Sequence, residues 1–66
     1  MTIFKKITEA TLLIEKDITE KDLHGQGCIR AIFEGVEKVF PNIFGRAEDI
    51  IIMRICDNLQ SKGLII

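Results

Sequence analysis

Between Asp49 and Leu59 the chain reads Asp-Ile-Ile-Ile-Met-Arg-Ile-Cys-Asp-Asn-Leu, its most apolar run. Placed on a helix at about 100° per residue, Ile51, Ile52, Ile55, Cys56 and Leu59 fall within one stripe roughly 140° wide, the pattern of a helix packed on a core. Glu48 and Asp49 early in the run and Lys62 late in it suit the helix dipole. Gly63 stands where a left-handed C-cap is wanted, and Leu64 is placed to fold back on the last turn. Strand propensity of the three isoleucines is the competing reading; the caps and the spacing to Leu59 predict a helix over residues 46–62. Ile50 and Met53 project off its stripe.

The same periodicity recurs upstream. Ile3, Ile7, Ala10 and Ile14 predict a first helix over residues 3–16, with Phe4 and Thr11 on the flank of that face. Leu12 and Leu13 project away from it, so a short strand over Thr11-Leu12-Leu13-Ile14 is the alternative. In Asp17-Ile18-Thr19-Glu20-Lys21-Asp22-Leu23, Thr19 reads as an N-cap with Asp22 three residues on. Ile18 and Leu23 occupy the two positions of a hydrophobic staple. That predicts a separate short helix ending at Gly25, because running on through Gly25 and Gly27 would cost about 1 kcal/mol for each glycine. The cleanest amphipathic stretch is 26–40: Cys28, Ile29, Ile32, Phe33, Val36, Val39 and Phe40 share one face, and Arg30, Glu34, Glu37 and Lys38 the other. Glu34 and Lys38 make a favourable i, i+4 pair, and Pro41 ends the helix. In the apolar connector that follows, Ile43 and Phe44 are expected to plug the end of the core, and an aromatic anchor for a partner is the alternative reading.

Together these elements predict an all-α domain of three main helices and one short one. A single domain is all that 66 residues allow. A domain of this size buries only about 60% of its unfolded surface, so its core is marginal without a staple or a partner. With 47% hydrophobic residues the chain is nonetheless of globular composition. Three stripes can fill one small core, and Leu12, Leu13, Phe44, Ile50 and Met53 are left over as a candidate partner-binding set. Burying them across a two-fold axis would remove an exposed apolar patch and complete the core together. The expectation is therefore a small non-enzymatic interaction or regulatory module, completed by homodimerisation or by a larger protein partner.

Charge and chemistry narrow the alternatives. The formal net charge is −1 with no run of like sign, which lacks the basic footprint of a nucleic-acid binder. His24-x3-Cys28 is the sole His/Cys pair, and a metal site needs three or four ligands; no metal or other cofactor is expected. No nucleophile stands beside a base and no glycine-rich phosphate loop is present, so no catalytic residues are assigned. The N-terminal stretch lacks a signal core and nothing approaches a membrane span, pointing to a cytoplasmic protein in which Cys28 and Cys56 stay reduced.

One resemblance supplies the second function class. Leu59-Gln60-Ser61-Lys62-Gly63-Leu64-Ile65 resembles the end of the recognition helix and the start of the wing in winged-helix regulators. It covers about seven residues, and the same spacing is also a plain helix C-cap. The resemblance implies a compact helix-turn-helix or winged-helix-like DNA-binding regulator, with Arg46, Arg54 and Lys62 as its nucleic-acid-binding residues. Against it, the sequence stops at Ile66 without a wing hairpin and offers few bases, although phosphate contacts supply most nucleic-acid affinity.

Overall fold

The structure is a computed structural model that describes residues 2–65. It contains three helices, α1 (Ile3–Lys21), α2 (Gln26–Val39) and α3 (Gly45–Ser61), and among the described residues no strand. The Thr11–Ile14 segment lies inside α1.

The predicted short helix over residues 19–25 is corrected. Thr19 sits within the last turns of α1, which continues to Lys21. The four-residue step from Ile14 to Ile18 carries the buried stripe Ile7, Thr11, Ile14, Ile18 one turn further. Burying Ile18 on the core outweighs the local capping preference of Thr19, which is worth only about 1 kcal/mol. The helix stops at Asp22, whose φ of 51° is left-handed, and the Leu23 amide closes the end by donating to the Ile18 carbonyl at 3.0 Å. An L-residue in this conformation is strained, and a carboxylate opposes the dipole at a C-terminus. Asp22→Gly is therefore expected to stabilise the fold by about 0.5–1 kcal/mol in urea unfolding, despite losing the exposed 3.2 Å contact between Asp22 and His24.

Two other helix ends carry clear caps. Thr2 accepts a hydrogen bond from the Lys5 amide at 3.3 Å and opens α1. Gly63 is left-handed at φ 73°, the Leu64 amide donates to the Leu59 carbonyl at 3.0 Å, and Leu64 packs on the core.

The helices run up, down and up. Three contacts show that α1 and α3 are parallel neighbours: Arg54 stacks on the Phe4 ring, Asn58 Nδ2 donates to Thr11 Oγ1 at 3.5 Å, and Lys62 Nζ donates to Glu15 at 2.7 Å. The Thr11 hydroxyl in turn donates to the Ile7 carbonyl at 2.8 Å, so the buried polar atom is satisfied. Ile14, Ile51, Ile55 and Leu59 are the largest of the fully buried side chains. The isoleucine stripe of α3 is thus the centre of the core.

The packing of α2 differs from its apolar stripe. Ile29 and Phe33, expected in the core, are about half exposed, while the small residues Ala31 and Gly35 are buried. Gly35 sits against Ile14, so close that a Cβ there would fall 2.8 Å from Ile14 Cδ1 and nearer still to Cγ1. Close approach of α1 turns the small residues inward and displaces the two large ones to a flank.

Candidate partner-binding surface

The five nominated residues are all exposed, but the fold does not gather them into one patch. Leu12 lies on the α1 flank next to α3, in a shallow depression with Thr8, Thr11, Asn58, Ser61 and Lys62. Leu13 lies on the opposite flank, in a depression that includes Ile14, Gly35 and Lys38 of the α1–α2 seam. Phe44 is the N-cap residue of α3 and the most exposed large hydrophobic at 76%. Its neighbour Ile43 packs on the core, so only one of the two expected plugs fills that role. Ile50 and Met53 share the outward face of α3, about 60° apart on the wheel, and both are exposed.

Sequence reasoning missed a second exposed set. Ile3 and Phe4 at the start of α1 stand open to solvent, as do Ile29 and Phe33, one turn apart on α2. A usable signal existed in Ala31-x-x-x-Gly35, since small residues at a four-residue step mark where another helix can come close.

The nominated bases form no common surface. Arg46, Arg54 and Lys62 are eight residues apart, so each is turned by roughly 80° from the last at about 100° per residue. Arg54 places its guanidinium 5.9 Å from the centre of the Phe4 ring, a cation–π contact. Lys62 is paired with Glu15. Arg46 is exposed in the first turn of α3, near the positive end of the helix dipole.

The cysteines are free and differently placed. Cys28 is buried near the start of α2 and its thiol donates to the Leu23 carbonyl at 3.3 Å. Cys56 is half-buried on α3; burial, and secondarily the charge of Asp57, push its thiol up from the ordinary 9.0. His24 contacts Asp22 at 3.2 Å and is exposed. Among the described residues no three His, Cys, Asp or Glu side chains converge as metal ligands, and no helix is long and apolar enough to cross a membrane. No protein-family model, curated protein or solved structure matches the chain.

Proposed function

We propose that this chain is a small non-enzymatic protein–protein association module, acting as a homodimer or on a larger protein partner. One observation carries the reading: in a 66-residue chain, nine large hydrophobic side chains of the described residues are exposed. Single exposed apolar residues are ordinary, but a protein this small has little surface over which to scatter nine of them. Covering part of that surface would add buried apolar area to a core that is marginal by size, at roughly 25 cal/mol per Å².

DNA binding receives less support. Two of its three bases make contacts within the chain, and the roughly 80° steps between them do not favour one shared track along a phosphate backbone.

The test is the mass in solution. Light scattering over micromolar concentrations is expected to approach twice the 7.5 kDa of one chain. A constant 7.5 kDa would remove the homodimer. The module would then have to capture a larger protein in a manner abolished by Ile50→Asp or Met53→Asp, and the absence of that too would sink the reading.

A further inference from the structure

We infer that the end of the bundle where α1 and α3 begin docks on an anionic lipid surface. Phe4, Phe44 and Ile50 enter the headgroup layer, and Lys5, Arg46 and Arg54 meet its negative charges. Such docking goes beyond the association reading above and does not rest on it.

The fold brings these residues together. With the helices running up, down and up, the starts of α1 and α3 and the connector before α3 share one end. The bonds Thr11–Asn58 and Glu15–Lys62 both span 47 residues, and the same offset sets Ile50 level with Ile3. Arg46, Ile50 and Arg54 succeed one another at four-residue steps, so they follow one flank of α3 with a drift of about 40° per step. Arg54 lies over the Phe4 ring, which places that flank beside α1. Ile50, Phe4 and Phe44 are 58%, 65% and 76% exposed. Side chains on a helix lean toward its N-terminus, so those of α1 and α3 tilt toward this end. Lys62, at the far end and paired with Glu15, takes no part.

Several residues here are poor choices for folding. Phe44 stands at the N-cap of α3 without capping it, where Ser, Thr, Asp or Asn would stabilise the helix. Arg46 follows in the first turn of α3, and Lys5 and Lys6 in the first turn of α1, which has no acid. A base in that position opposes the helix dipole, and local conflicts of this kind gather at functional sites. Lys5, Lys6, Arg46 and Arg54 are in no ion pair among the described residues. The ion pairs lie toward the other end, at Asp17–Lys21, Asp22–His24 and Glu15–Lys62. Glu48 and Asp49 are the acids of the docking end, so residues 2–6 and 40–54 carry two surplus positive charges in a chain of net −1.

Charge and apolar exposure together select a lipid surface. A strand or helix from an acidic protein needs a sheet edge or a groove to lie in, whereas these side chains stand out from the end of a 29 × 18 × 18 Å body. A nucleic-acid backbone would pair with the bases and leave Phe4, Phe44 and Ile50 in water. An anionic bilayer takes apolar side chains into its headgroup boundary and attracts the bases beside them. It requires no matching shape.

Flotation of the full chain with phosphatidylserine-containing vesicles and with pure phosphatidylcholine vesicles is the test. Wild type is expected to float with the anionic vesicles and not with the neutral ones, and less as salt rises. Arg46→Gln should lower the partition coefficient about 5-fold, and Phe44→Ser about 10-fold or more. Serine is the better N-cap, and removing Arg46 relieves the dipole, so neither substitution threatens the fold. Lys16→Gln and Leu13→Ser, matched changes at exposed positions away from this end, are expected to leave flotation nearly unchanged. A wild type that stays behind with anionic vesicles would overturn the docking, as would equal flotation with neutral ones. Loss of flotation in Leu13→Ser with retention in Phe44→Ser would overturn it as well. Equal binding to polyglutamate or to a DNA duplex, with the same dependence on Phe44, would put another polyanion in place of lipid and overturn it too. The mass measured without lipid is untouched by each of these outcomes, so failure here leaves the association reading standing.

Discussion

Ile55→Ala is expected to abolish most of the stability of this protein. Ile55 is completely buried, at 0% exposure, between Ile51 and Leu59 on the stripe of α3 that faces both other helices. Truncating a buried isoleucine to alanine costs about 2–5 kcal/mol, the sum of lost transfer energy and the cavity left behind. The upper end applies where the surroundings cannot collapse, and the centre of a three-helix core held on every side is such a place. A chain of 66 residues has in total only about 3–10 kcal/mol to lose. Thermal unfolding followed by circular dichroism should therefore show a fall of at least ~10 °C, or no cooperative transition at all. Met53→Ala provides the contrast. Its side chain is 66% exposed on the same helix, and in the dissociated chain its removal should move stability by no more than about 0.5 kcal/mol. A small effect of Ile55→Ala would mean that α3 does not form the centre of the core.

The contrast between these two residues could be read from the sequence, and the reason is physical. Ile51, Ile55 and Leu59 repeat at steps of four, every one of them is large, and no small residue competes for the inward position. Hydrophobic periodicity then coincides with burial, and the stripe, the left-handed Gly63 and the returning Leu64 all fall where the pattern puts them. Two other elements escaped because one signal was asked to decide between competing effects. Ile18 is both a plausible staple residue before Thr19 and the next step after Ile14 on the buried stripe. Local capping favours the first role, and tertiary burial enforces the second. On α2 the pattern weights residues by hydrophobicity, so Ile29 and Phe33 dominate the inferred face. Packing weights them by fit, and the closest helix approach selects Ala31 and Gly35 instead. The candidate surface inherits both outcomes. The exposure of Ile50, Met53, Leu12 and Leu13 follows from their angular distance from their stripes. The exposure of Ile29 and Phe33 follows from where α1 lies, which no single helix pattern contains.

Gly35 makes that dependence measurable. At an exposed helical position, glycine to alanine stabilises by about 1 kcal/mol, because alanine has less backbone freedom to lose. At position 35 the opposite sign is expected. The added Cβ would overlap Ile14 at Cγ1, close to its branch point, as well as at the more mobile Cδ1. Ile14 is itself only 1% exposed, so it must shift against packed neighbours to admit the methyl group. Overpacking of this kind costs about 1–3 kcal/mol, so Gly35→Ala should be destabilising by up to about 2 kcal/mol after its propensity gain of about 1 kcal/mol is subtracted. Ile14→Ala alone should cost about 2–5 kcal/mol by leaving a cavity. In the double variant the new methyl group occupies part of the space that the isoleucine vacates. Its loss should therefore fall short of the sum of the two single losses by at least ~0.5 kcal/mol, the lower range for residues in direct contact. Urea unfolding of the four proteins closes this cycle. Strict additivity, or stabilisation by Gly35→Ala alone, would place Gly35 away from Ile14. It would also remove the reason for Ile29 and Phe33 to lie outside the core.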